Sequence, residues 1–256
     1  MRESQAGELR GATFRDRDMG SARFIGCEMS GVVVRGSDVA GMEIDSPWLV
    51  EDGGTLVVNG VDVVPFVDAE LNRRFPGREL RGAADPAGLR RAWAALEGAW
   101  AALLERVAAL PAGTVDEQVD GEWSLAQTLR HLVMATDVWL GRAVLQREDP
   151  FHPLGLPNDD FETEAYDPSA FRVEAPSFDR VLEARAGRQA MVADLLAGVT
   201  VDDLADRRSN PHAPDRPETV LSCLRTILEE EWEHYRYAVR DLDVLADRAA
   251  EGPAGT

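Results

Sequence analysis

From residue 218 to residue 251 the chain runs without a single Gly or Pro. A stretch of that length with no helix breaker predicts one long helix, opening at Pro217 and reaching about Ala249. A helix of this kind is held mainly by packing, so the rest of the chain has to supply partners for it. Within it, Glu230 and His234 stand four residues apart and therefore share one face.

Three further segments carry helix signals. Asp85-Pro86 reads as an N-cap with Pro in the first turn, and that helix extends to about Leu110, where Pro111-Ala112-Gly113 stops it. Ser124 caps a second helix that passes through His131 and Trp139 and fades near Gln146. Ser177 caps a third, which ends near Gly198. Between the second and third lies an irregular stretch, 147 to 175. It contains Phe151-His152-Pro153-Leu154-Gly155-Leu156-Pro157 and an acidic run, Asn158-Asp159-Asp160 with Glu162 and Glu164, read as a solvated loop. A connection of this length inside a compact domain marks a crossover or a functional loop. The expectation is a mainly α protein whose residues 83–249 form a four-helix bundle with a long crossover, followed by a disordered tail over 250–256.

The N-terminal region follows a different rule. Phe14, Met19, Phe24, Met29, Val34, Val39 and Ile44 recur every five residues, and two positions before each stands a mostly small or apolar residue, Cys27 among them. A period of five fits neither helix nor strand. It resembles the pentapeptide-repeat family, which implies a short β-helix stub over 1–46. Seven degenerate copies make a stub too short to bury its own ends, so stacking on the next domain is expected. Residues 47–82 form a connector, with a hairpin signal at Asn59-Gly60 and a short helix from Pro65 to Arg74.

The helical part also carries a family likeness. Gly121-Glu122-Trp123-Ser124 followed by Thr128-Leu129-Arg130-His131-Leu132 resembles the second helix of the DinB superfamily, and the segment from Leu228 to Leu242 resembles its fourth. Leu56 to Asp62, with Glu70-Leu71-Asn72-Arg73-Arg74, is similar to an actinobacterial subgroup that joins a pentapeptide-like N-terminus to a DinB bundle. Many DinB proteins hold a metal with three histidines, two of them four apart; Ala238 breaks that pattern here. The mycothiol-dependent maleylpyruvate isomerase branch instead uses His, Glu and His, and His131, Glu230 and His234 match that set one for one.

Taken without the resemblance, the same residues are ambiguous. A lone His on an apolar helix is more often a packed core residue, and Glu four before His is common on solvated helices. Taken with it, two helices bring three donors together and leave one coordination position open, the layout of a catalytic zinc site. Ni2+ or Fe2+ suits the same donors. The resemblance implies mycothiol as co-substrate and a thiol S-transferase or thiol-dependent isomerase acting on a small electrophile. A non-catalytic metal- or ligand-binding module and a metal-dependent hydrolase are the rival readings. Trp123, His152 and Tyr237 are candidates for lining a substrate cavity, with ordinary core or loop packing as the alternative for each. Cys223 reads as core and His212 as a surface residue.

Composition sets the remaining bounds. A net charge of −19 argues against nucleic acid as a partner, because affinity for a phosphate backbone comes from basic patches. All 27 basic residues are Arg. There is no apolar run of membrane-spanning length and no apolar segment after Met1 to suggest a signal peptide, so a cytoplasmic protein is expected. Two distant cysteines, Cys27 and Cys223, point to a disulfide-free chain. The partners expected are a small-molecule thiol and an electrophile, with homodimer formation left open.

Overall fold

The computed structural model describes residues 9–50, 53–158 and 168–251. It divides into two compact units, Met1–Asp45 and Ser46–Thr256. The acidic run from Asp159 onward lies outside the described residues, as does the expected tail from residue 252 onward.

The first unit is a succession of corners. Gly11, Asp16, Ser21, Gly26, Gly31, Gly36 and Gly41 all have positive φ, one every five residues, and from Asp16 on each stands two positions after a member of the apolar row. Every second corner is closed by a backbone hydrogen bond: Ala12 N to Leu9 O at 2.9 Å, Ala22 N to Met19 O at 3.0 Å, Val32 N to Met29 O at 3.1 Å and Met42 N to Val39 O at 3.0 Å. Positive φ at the third residue of such a turn explains the glycines. Carboxylates spaced ten apart brace three of these corners, Asp18 accepting from Gly20 N, Glu28 from Ser30 N and Asp38 from Ala40 N. The apolar row itself is 41–56% exposed, and Cys27, two positions before Met29, is exposed too.

The second unit opens on a hairpin, β1 (Val57–Val58) paired with β2 (Val61–Asp62), turned by Asn59 and Gly60 at φ 50° and 85°. Two successive positive φ values are what a type I′ turn needs. Helix α1 (Val64–Arg74) follows, with Pro65 in its first turn. Next comes a 3-10 turn, Arg78–Gly82, whose Arg78 is buried and donates to Asp68 at 2.7 Å and Asn72 at 2.8 Å. Gly77 before it has φ 99°, and a Cβ there would come within 2.8 Å of Ala95 Cβ, so this corner admits only Gly.

Four long helical segments make the body of the unit. Helix α2 (Pro86–Val107) is capped by Asp85, which accepts from Ala87 N and Gly88 N. It stops three residues short of Leu110, because Ala109 and Leu110 switch to i→i−3 bonds, to the carbonyls of Arg106 and Val107. Helix α3 (Leu125–Thr136) begins on a reciprocal capping box between Ser124 and Gln127 and runs directly into a π-helical stretch, Asp137–Val144. Helix α4 (Phe178–Gly198) follows the crossover. A one-turn helix, α5 (Val201–Ala205), comes next and was not signalled by periodicity. The long helix α6 (Val220–Glu251) starts later than Pro217, because β4 (Glu218–Thr219) first pairs with β3 (Arg207–Arg208). No helix among the described residues is long and apolar enough to cross a membrane.

Helix α2 packs against α4 and α6, and α3 packs against the same two, so the four close a ring around a core that includes Leu89, Leu96, Trp100, Leu129, Leu132 and Trp232. A polar knot crosses this core. Glu231 on α6 is 1% exposed and pairs with Arg185 of α4, 3% exposed, while Trp100 Nε1 of α2 donates to the same carboxylate at 2.8 Å. Burial pushes the Glu231 carboxyl up in pKa, against the pull of Arg185. Removing one member strands the other charge in the core, so Glu231→Leu should cost about 3–5 kcal/mol in denaturant unfolding. The double replacement Arg185→Leu with Glu231→Leu should cost clearly less than the sum of the single losses.

Candidate metal centre

Nearly every position of α3 is buried, because α4 and α6 flank it and the crossover loop covers a third side. His131 is one of these buried positions. On α6, Glu230 and His234 lie one turn apart and face it. His131 Nε2 stands 3.5 Å from Glu230 Oε2, and His234 Nδ1 stands 3.4 Å from the same oxygen. The two imidazoles stack at 4.7 Å with 28° between their planes. Ligand atoms of all three residues lie within 4.8 Å of one another.

The backbone fixes which ring nitrogens are free. His131 Nδ1 lies 3.1 Å from the Leu156 carbonyl, and His234 Nδ1 lies 2.8 Å from the Glu230 carbonyl of its own helix. A carbonyl oxygen only accepts, so Nδ1 carries the proton in the neutral form of both rings, and a neutral ring keeps its lone pair on Nε2. For neutral His131 this turns a lone pair toward a carboxylate oxygen, a contact that either a proton or a metal cation between them would relieve. Two neutral imidazoles and one carboxylate, each imidazole oriented by a backbone acceptor, form a donor set suited to a divalent metal.

The electrostatics run the same way. Burial lowers the pKa of His234 to about 4, helped by the His131 charge and opposed by Glu230. Burial acts to raise the Glu230 pKa, yet the hydrogen bond that a protonated His131 donates and the positive charges of protonated His234 and His131 outweigh it, and the carboxyl sits below its ordinary value. Both are thereby held in the forms that bind metal, neutral imidazole and carboxylate.

Of the residues expected to line a cavity, two are at this centre. The Trp123 ring lies 4.8 Å from His131 and 6.4 Å from His234, and Tyr237 meets His234 edge-on at 6.2 Å. Tyr237 is in turn covered by the guanidinium groups of Arg236 at 4.5 Å and Arg240 at 5.1 Å, and Arg240 pairs with Glu122 beside Trp123. His152 is placed elsewhere. Its backbone N–H donates to Asp137 at 2.8 Å, its Nδ1 accepts from Leu154 N at 3.2 Å, and the charges that act on it are those of Arg188, Arg180 and Glu183. His212 is exposed as expected, but it packs on Trp139 at 5.4 Å and its charge and that of Glu230 act on each other. Cys223 is buried, which pushes its thiol up to about 11, so it stays protonated in the core.

The Leu156 carbonyl has no counterpart in the sequence reading, because a backbone oxygen leaves no residue-type signal. The one available hint was the two-proline loop that holds it. Pro157 after Leu156 keeps that residue extended, which restricts where its carbonyl can point.

The depressed His234 value has a consequence for the metal-free protein. The unfolded chain takes up a proton on this ring near 6.5, the folded chain only near 4, so the unfolded state holds more protons between those values. In the presence of a chelator, stability should therefore fall as pH is lowered from about 6.5 to about 4, and His234→Gln should flatten that part of the profile in thermal melts.

The family model described as DinB superfamily matches residues 95–238, a stretch that contains all three donors. No curated protein and no solved structure matches the chain.

Proposed function

This chain belongs to the DinB superfamily, and from that membership and the centre above we propose a metal-dependent thiol transferase or thiol-dependent isomerase built on a four-helix bundle. The observation that carries the proposal is the donor set. Ligand atoms of His131, Glu230 and His234 lie within 4.8 Å of one another, with the Nδ1 of each imidazole against a backbone carbonyl and His131 Nε2 turned to the Glu230 carboxylate. His131, Glu230 and His234 would hold a divalent cation, zinc for preference, with nickel and iron as the alternatives. When bound, such a cation supplies Lewis-acid activation, lowering the pKa of a thiol so that it is present as the nucleophilic thiolate.

The protein's own groups do the rest. Glu230 contributes the single negative charge among the three donors, and its carboxyl sits below its ordinary pKa. The carbonyls of Leu156 and Glu230 keep each imidazole in the tautomer that binds and stop it from rotating. Trp123 and Tyr237, which pack against His131 and His234, would shield the thiol sulfur from water and seat the electrophile. The match of His131, Glu230 and His234 to the mycothiol-dependent branch supports mycothiol as the thiol. The free state of both cysteines agrees with a reducing, cytoplasmic setting. The period-five corners of the first unit support reading it as a pentapeptide-like coil.

Purified protein should carry about one divalent cation per chain, and His131→Ala should remove most of it, since two remaining ligands hold a metal weakly. Product formation from a model electrophile, followed with and without mycothiol, separates the readings. Turnover that requires mycothiol and slows in Glu230→Gln supports the transferase. Turnover with water alone, inhibited by the thiol, identifies a hydrolase. Metal without turnover in either assay identifies a binding module.

A further inference from the structure

The residue beside His131 is used in an unusual way. Arg130 is 9% exposed, yet no carboxylate pairs with it among the described residues. Its guanidinium instead donates to three backbone carbonyls of the crossover: Nε to Leu154 at 2.9 Å, Nη1 to Glu174 at 2.9 Å and Nη2 to Val173 at 2.8 Å. Its own carbonyl accepts from Leu156 N at 3.2 Å. Burying a guanidinium against carbonyls is costly, because their dipoles compensate it less well than a carboxylate. An apolar side chain would pack the same space at lower cost. The arrangement makes sense as a device that fixes the path of the loop.

That loop is a strap from His152 to Pro157. At one end His152 N is held by Asp137, which Arg188 clamps through Nε at 2.8 Å and Nη2 at 3.0 Å. In the middle, Gly155 N closes a turn on the His152 carbonyl at 2.9 Å and Val173 N reaches the Pro153 carbonyl at 3.2 Å. Phe171 covers the strap so closely that a Cβ on Gly155 would come within 2.7 Å of its ring. At the other end Leu156 is tied twice to consecutive residues of α3, its N–H to the Arg130 carbonyl and its carbonyl to His131 Nδ1.

We infer that Arg130 is the positioning residue of the centre. Its guanidinium holds the His152–Pro157 strap on α3, and the strap's Leu156 carbonyl fixes His131 with Nε2 turned to Glu230. The inference deepens the metal reading proposed above and rests on it for the consequence in affinity. It does not rest on it for the orientation of His131, which belongs to the metal-free chain. Asp137, Arg188 and Gly155 then serve the same strap from its far side.

The full chain, stripped of metal, gives the first measurement. Nitrogen-15 NMR of the imidazoles should show His131 as the Nδ1–H tautomer. An Nε2–H ring at that position would overturn the inference with no variant needed. Arg130→Lys keeps a charge but loses the fork that reaches three carbonyls. It should leave His131 a mixture of tautomers and weaken Zn2+ binding by about 10–100-fold in competition with a chromophoric chelator. Gly155→Ala displaces the strap through Phe171 without touching Arg130 and should shift both readings in the same direction. It decides the matter if the Arg130 variant does not fold. A variant that unfolds no more readily than wild type, keeps the tautomer and keeps its zinc affinity would overturn the inference while leaving the metal reading intact. A wild-type chain that binds no zinc would overturn the metal reading, and the tautomer shift would still test the strap.

Discussion

One buried carboxylate ties three of the four long helices together. Glu231 of α6 takes a hydrogen bond from Trp100 of α2 and pairs with Arg185 of α4 in a core from which water is excluded. Such a group tolerates little displacement, because a lost partner leaves a charge stranded in low dielectric. It therefore sets the rotation of α6 about its own axis. Successive residues on a helix differ by about 100° in direction. Once Glu231 faces α2 and α4, Glu230 must face round toward α3, and His234 lies one turn above it on that side. The polar knot and the metal centre are thus two readings of a single helical angle.

The same dependence explains why α3 can bury a histidine at all. Its two flanks are taken by α4 and α6, and its remaining face is closed by the crossover strap rather than by another helix. A loop covering a helix has to satisfy its own backbone groups. Here Arg130, Asp137 and His131 take on that task with side chains, which is how an irregular segment comes to supply a carbonyl at a defined spot.

What the sequence disclosed divides along physical lines. Features written in local chemistry were legible: the caps Asp85 and Ser124, the Asn59-Gly60 turn, the breaker-free run of α6 and the four-residue spacing of Glu230 and His234. His131 was legible as a candidate because its neighbours carry a family likeness, whereas its place on an apolar helix spoke for plain core packing. Features that depend on the rest of the fold were not legible. The π-helical stretch after Thr136 reflects a shift in hydrogen-bond partner that no residue type announces. His152, a plausible cavity residue by composition, went to the strap's anchor, whereas the backbone of Leu156 in the same loop reached His131. In the first unit the five-residue period was visible as an apolar row. The closing of alternate corners, braced by Asp18, Glu28 and Asp38, became visible only with the backbone in view.

The placement of the three donors also fixes when the centre can come into being. Glu230 and His234 share one turn of α6, so a segment that is merely helical already presents them together. His131 stands about a hundred positions earlier, and bringing it alongside means closing a loop of that length. The backbone acceptor that orients it sits in a third segment, which has to dock after α3 has formed. A half-assembled pair on a single helix therefore precedes the complete triad during folding, and the triad exists only once α3, the strap and α6 have met. A metal held by all three donors would thus be captured late in the life of each newly made chain, as a property of the finished fold rather than of any part of it.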